Sequence, residues 1–313
     1  MKRTPYLLGA FVLALSLHLP QLFAQVQIEE LDGKIIASVD HNPVLHYHAT
    51  TVDPPTGMDP IYARSGFIHP LFSPSGKQLT DGFPIGHVHQ HGVFNAWTRA
   101  TFKHQVVDFW NQHKKLGTVS HHRVKQINDD SFEVALRQIS LNQGPAIHET
   151  WKVIVRKTKA PYIVDLEITQ SCATTNEVYL HPYHYGGFGL RGSAHWSPED
   201  LGHYEGSMKV LTGDGTRDIE ASNHSSPRWV AAYGDINGEA AGFVVMDHPK
   251  NFRYPQAVRV HPKMPYFVFS PVVQGSFILK PGFSYTAHYR IATFDGEPNS
   301  ETVEEWYDDF TRP

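Results

Sequence analysis

Along most of the chain, apolar and polar residues alternate with a period of two. Ser131 to Ile139 reads S-F-E-V-A-L-R-Q-I and puts Phe132, Val134 and Leu136 on one face of a strand. Glu149 to Arg156 repeats the pattern. In Tyr162 to Thr169, the residues Tyr162, Val164, Leu166 and Ile168 oppose Ile163, Asp165, Glu167 and Thr169. Ala240 to Met246, Tyr266 to Ser270 and Tyr285 to Thr293 read as further strands. Turn-forming clusters separate them: Asn128-Asp129-Asp130, Asn142-Gln143-Gly144-Pro145, Gly213-Asp214-Gly215 and Lys280-Pro281-Gly282. Many short strands with such punctuation predict an all-β chain, an antiparallel β-sandwich of supersandwich or jelly-roll type. Only the C-terminus reads as helix. Pro298-Asn299-Ser300 starts it, Glu301, Glu304 and Glu305 occupy its first turns, and Val303, Trp306, Tyr307 and Phe310 recur on one face.

Two stretches, Thr50 to Gly86 and Arg191 to Arg228, break the alternation and read as long loops of the kind that rim functional sites. The N-terminus breaks it differently. Lys2 and Arg3 precede the apolar run Tyr6 to Leu19, and Leu22-Phe23-Ala24 ends in a small residue, which predicts a signal peptide over 1–24 cleaved after Ala24. About 290 residues remain, enough for one sandwich domain over 25–313. They carry no second apolar stretch of membrane length, so the mature chain has no membrane span and is exported to a bacterial periplasm or cell exterior. The single cysteine, Cys172, rules out an intrachain disulfide and reads as a buried inert thiol. A net charge of −4 without basic blocks excludes a nucleic-acid partner. Against 27 lysines and arginines the chain has 21 histidines, which points to ligand, metal or proton chemistry.

Three constellations can carry that chemistry. In Gly86-His87-Val88-His89-Gln90-His91-Gly92, an extended backbone sends His87, His89 and His91 to one face, about 7 Å apart. Such a stripe can hold a divalent metal, bind a sugar, shuttle protons or simply face solvent. In Tyr179 to Arg191, His181, Tyr183, His184, Tyr185 and Arg191 stand beside Gly186, Gly187 and Gly189; histidine and tyrosine exchange protons, and arginine clamps a carboxylate. In Met246 to Pro255, Asp247 can orient a histidine, accept from a sugar hydroxyl or anchor an Asx-type turn. His248 stands next to it, and Arg253 can bind an acid. Asn95 and Trp97 share the face of His91 in an extended continuation, with Trp97 either a sugar platform or core. Arg64 and His69 lie in the preceding loop, and Asp108-Phe109-Trp110-Asn111 reads as a turn with a buried aromatic. No nucleophile elbow, phosphate loop, dinucleotide fingerprint or His-Glu-x-x-His is present, whereas a paired-carboxylate glycosidase leaves no local signal.

These stretches together resemble PmoA-like proteins, a family of exported bacterial proteins with a domain of unknown function. The resemblance is carried by Phe67-Ile68-His69-Pro70-Leu71, Ser73 to Lys77, His87 to Trp97, Val107 to Asn111, Tyr185 to Arg191, Asp247 to Asn251, Leu279 to Gly282 and Tyr289-Arg290. Many members have Asp at the position of Gly86 and His-Arg at Gln90-His91, so roles of that Asp or Arg do not carry over. The methane oxidation that the name evokes belongs to a membrane copper subunit and does not fit a chain without a span. The resemblance instead implies an enzyme of polysaccharide utilisation, since a similar protein is described as a dehydratase on oligosaccharides from ulvan, a uronate-containing polysaccharide.

The resulting expectation is a carbon–oxygen lyase or dehydratase acting on an acidic oligosaccharide. Its catalytic residues are drawn from His87, His89, His184, Tyr183 and Tyr185. Arg64, His91, Asn95, Trp97, His181, Arg191, Asp247, His248 and Arg253 bind substrate. A divalent metal, if bound, sits on His87, His89 and His91. An unclassified glycoside hydrolase and a non-catalytic surface sugar-binding protein are the alternatives.

Overall fold

A computed structural model describes residues 24–197 and 208–312. The expected signal peptide lies outside the described residues except for Ala24, as does 198–207 of the second long stretch. The chain is an all-β sandwich of antiparallel strands. One eight-stranded sheet runs in the order Val26–Leu31, Lys34–Val39, Asn42–His48, Ile68–Leu71, Val93–Ala96, Gly187–Arg191, Tyr266–Phe269, Val258–Val260. The other runs Lys209–Thr212, Trp229–Ile236, Glu239–Asp247, Ser284–Asp295, Tyr162–Cys172, Gly144–Val155, Ser131–Ser140, Gly117–Ile127. A four-stranded sheet orders Phe277–Leu279, Val178–Leu180, Ala100–Phe102 and Gln105–Val107.

Alternation explains which faces meet. Phe132, Val134 and Leu136 are buried in a hydrophobic cluster that takes in all three sheets. Rings bridge the two large sheets: Phe188 stacks on Tyr289 at 4.4 Å between centroids, and Tyr47 lies 5.7 Å from Phe132. The strand Glu239–Asp247 is buried on both faces, because Ala241, Phe243 and Val245 point into the sandwich while Val244 and Met246 lie under the C-terminal helix Ser300–Thr311. That helix starts where expected, with Asn299 capping the Thr302 N–H at 3.1 Å, and docks through Val303 and Tyr307.

The long loops are more ordered than alternation suggests. Thr50 to Gly86 contains the strand Ile68–Leu71 and bridges pairing Val52 with Arg64 and Phe72 with Gln78. Arg191 to Arg228 contains the strand Lys209–Thr212 and a second, short helix, Ile219–Ser222. Cys172 is half-buried and donates to the Leu279 carbonyl. No helix among the described residues is long and apolar enough to cross a membrane.

Candidate functional site

The histidine run is not extended. Pro84 to Gln90 folds into two consecutive turns, in which the His87 N–H donates to the Pro84 carbonyl at 3.2 Å and the Gln90 N–H to the His87 carbonyl at 2.9 Å. Gly92 closes the run at φ 59°, and a Cβ there would stand 2.2 Å from the Ile68 carbonyl oxygen, so only glycine fits. These turns, rather than a pleat, direct the side chains. His87 and His89 face a cleft, whereas His91 turns inward.

Four segments build this cleft of about 290 Å³. The turns give His87, His89 and Gln90. The bend after Gln105–Val107 gives Trp110, Asn111, His113 and Lys114. The connection from Val178–Leu180 to Gly187–Arg191 gives Tyr183, His184 and Tyr185. The hairpin joining Val258–Val260 to Tyr266–Phe269 gives Arg259, His261, Met264 and Tyr266. His113, His89, His87, His261 and Tyr266 form a continuous row of rings, with centroids 5.1, 5.8, 6.4 and 5.2 Å apart. Tyr183, His184 and Tyr185 form a second cluster at 4.2 to 5.0 Å, and Tyr185 also meets Trp110 at 5.2 Å.

Buried groups set the orientation of these side chains. The Asp108 carboxylate accepts the backbone N–H groups of Trp110 (3.1 Å) and Asn111 (2.8 Å), the Asn111 amide, and the Lys114 ammonium at 2.8 Å. Asn111 Oδ1 in turn accepts the Tyr185 hydroxyl at 3.0 Å. Arg191, fully buried, donates to Gln90 Oε1 at 2.9 Å and leaves the Gln90 amide nitrogen as a donor. His261 Nδ1 accepts the N–H groups of Lys263 and Met264 at 3.1 Å, which places its proton on Nε2.

The electrostatics are one-sided. Among the described residues the lining has two cations, Arg259 and Lys114, and no carboxylate. Burial, then the neighbouring His113 and His87, pushes His89 down to about 3. Burial, then Arg259, pushes His261 down to about 4. The same two causes lower His184. Burial raises Tyr185 and Tyr266, with Asn111 and Arg259 respectively opposing it. At neutral pH His89, His261 and His184 are therefore uncharged and Tyr185 and Tyr266 keep their protons, beside the Arg259 guanidinium and the Lys114 ammonium that Asp108 pairs.

The five expected catalytic residues, His87, His89, His184, Tyr183 and Tyr185, all line this cleft. The expected substrate-binding residues stand elsewhere. His91 is fully buried, with its ring nitrogens 3.0 Å from the Gly82 carbonyl and 2.9 Å from Gln112 Oε1, so the trio His87, His89 and His91 does not converge. Asn95 donates to Glu149 and Trp97 to Gln170 inside the sandwich, and buried Arg64 reaches the Asn95 carbonyl. Arg191 supports Gln90 from behind. His181 bonds Thr101 on the four-stranded sheet. Asp247 accepts the Gln256 N–H and the Asn251 amide at 2.7 Å, in the turn-anchoring role. His248 packs near His288 and Phe310, and Arg253 binds the carbonyls of Pro271, Gly275 and Ser276. No group of three or more His, Cys, Asp or Glu side chains among the described residues is placed to hold a metal ion.

Lys114, His113, Arg259, His261 and Tyr266 escaped the sequence reading. Lys114 lies just beyond Asp108 to Asn111, a segment read only as a turn. Arg259 and Tyr266 flank a hairpin with no motif of its own.

Fold and cleft together define an all-β sandwich protein with a cationic histidine–tyrosine cleft. The chain belongs to a family of unknown function, DUF6807, whose model matches residues 34–308. No curated protein matches it. Among solved structures, it is similar to the heparan sulfate lyase HepC from Pedobacter heparinus (10% identity, TM-score 0.40), with 90% of this chain covering 38% of that one. It is similar to a GalM/aldose epimerase homologue from C. elegans (9%, TM-score 0.37, 88% of this chain and 100% of that one). A third is the GH36 α-galactosidase AgaA from Geobacillus stearothermophilus (9%, TM-score 0.38, 87% and 41%). The chain thus spans under half the length of the lyase and the galactosidase.

Proposed function

We propose that this protein is an exported carbohydrate-active carbon–oxygen lyase, a dehydratase that acts on uronate-bearing oligosaccharides during polysaccharide breakdown. The observation that carries this reading is the lining itself: two cations, imidazoles and phenols, and no carboxylate among the described residues. A glycosidase of the usual kind needs paired carboxylates. A β-elimination needs a cation for the sugar carboxylate, a base for the carbon next to it and an acid for the departing oxygen. Arg259 and Lys114 hold the carboxylate and stabilise the enolate-like charge. His184 is the base, because it is less buried than His89 and loses less of its basicity. Tyr183, ring to ring with His184, protonates the leaving oxygen. The C–H bond breaks toward His184, a carbon–carbon double bond forms, and the adjacent C–O bond breaks to release water. The resemblance to PmoA-like proteins, and through it to an ulvan-oligosaccharide dehydratase, supports the same reading.

The test is incubation of the purified protein with saturated and unsaturated uronate oligosaccharides. Product lighter by one water and new ultraviolet absorbance are expected. Absence of both on every acidic oligosaccharide overturns the reading. Arg259→Ala is expected to raise KM for an acidic substrate about 10- to 100-fold, the usual loss of a charge-assisted hydrogen bond.

A further inference from the structure

A second cleft, of about 430 Å³, lies outside the catalytic lining and draws on the segments around Arg253 and Lys280-Pro281-Gly282. Its rings are Phe252, Phe277, Phe283 and Tyr285, and its charged groups are Lys250 and Lys280. Among the described residues it too has no carboxylate. Phenylalanine is ordinarily buried, yet Phe283 is 70% exposed and Phe252 42% exposed.

The structure braces Phe252 with ring and guanidinium contacts and sets Phe283 on an ordered turn. Phe283 follows a tight turn in which its N–H donates to the Lys280 carbonyl at 3.2 Å, with Pro281 and then Gly282 (φ 82°) as the central residues. Proline presets the first dihedral, and glycine supplies the positive one. Arg253 takes a left-handed conformation (φ 63°) that is costly for a residue with a Cβ. Its guanidinium binds three carbonyls and lies 4.7 Å from the Phe252 centroid and 6.0 Å from that of Phe277. Phe277 meets Phe252 at 5.3 Å and Tyr285 at 5.5 Å. The result is a braced cluster of Phe252, Phe277 and Tyr285 that shares its lining with exposed Phe283 and the ammonium groups of Lys250 and Lys280.

We infer that this cleft is a second, non-catalytic site for an acidic polysaccharide chain. Sugar rings stack their apolar faces on Phe252 and Phe283, and their carboxylates or sulfates pair with Lys250 and Lys280. Charge complementarity selects this occupant: the charged groups an anionic chain meets there, among the described residues, are both ammonium, whereas a neutral chain gains nothing from the lysines. The choice of an acidic glycan rests on the function proposed above. The site would hold long chains on the same molecule that processes their fragments.

Affinity electrophoresis of the full mature protein tests this, with polygalacturonate and ulvan as acidic probes and laminarin as the neutral one. Retardation by the acidic probes alone is expected. The double variant F252A/F283A should weaken it about tenfold, the sum of two stacking contacts, and K250A/K280A should weaken it similarly. Turnover of a short acidic oligosaccharide should stay within about twofold of wild type in both, since neither pair lines the catalytic cleft. No retardation by either acidic probe overturns the inference. So does retardation that survives F252A/F283A, or a change in native mass in that variant, which would mark the face as a contact between copies. Retardation without any turnover supports the second site and sinks the lyase reading, while turnover without retardation does the reverse.

Discussion

Among the cleft residues, burial decides which can act as a base. His89 and His261 are pushed to about 3 and about 4 and remain uncharged over the whole range in which such an enzyme would work. His184 is lowered by weaker versions of the same causes. A base must be unprotonated, so a depressed pKa moves the acid limb of kcat/KM below 6.5, the ordinary histidine value. The predicted profile is flat from neutrality down past that point. His184→Ala should lower kcat by about 100-fold or more and flatten that limb, as stopped assays across pH would show. A limb centred at the ordinary histidine value in the wild type would remove His184 from this role. Tyr185 is a poor candidate for base, because burial raises its hydroxyl, which is already spent on Asn111.

At the scale of elements, the bend carrying Asp108 joins fold to site. Its carboxylate is 2% exposed and gathers two backbone donors, an amide and an ammonium. Asp108→Ala leaves those backbone N–H groups without their acceptor, and its expected cost is about 1–3 kcal/mol in denaturant unfolding. The Lys114 pair adds little to that cost because Lys114 is well exposed. The same variant should lower kcat through Asn111 and Tyr185 while leaving the acid limb set by His184 in place. Strands of this kind were legible in the sequence. Ser131 to Ile139 shows its alternation because one face is covered and the other is not, and the C-terminal helix shows its cap and its apolar stripe. The turns at Pro84 to Gln90 were not legible as such. His87, His89 and His91 fit a period of two as well as they fit two tight turns, and the flanking glycines fit both. The expectation of a single histidine face failed there, and with it the placement of His91, Asn95 and Trp97 in the cleft. Arg259 and Tyr266 were illegible for another reason. Nothing local to a hairpin records which distant loops it will meet.

At the scale of the whole molecule, the histidine content has a consequence for stability. His48 and His69 are held to about 4 and His89 to about 3, each chiefly by burial, and fully buried His91 is pushed well below its ordinary value by the same cause. In the unfolded chain these groups take protons once pH falls below 6.5. In the folded chain they resist until about 4 or lower. Through that window the unfolded state binds more protons, so stability falls as pH falls. Asp247 works the other way. Burial raises its carboxyl from 3.8 to about 7, so it stays protonated in the fold, and acidification between those values favours the folded state. Glu149, raised by burial, acts in the same sense, but these two carboxyls are set against the four histidines and against His121 and His261, also held to about 4, and the histidines win. The thermal midpoint is predicted to drop by about 10 °C between neutrality and the low end of that window. Scanning fluorimetry across buffers of matched ionic strength measures it. A midpoint that holds steady or rises on acidification would mean that the buried imidazoles gain protons within the fold.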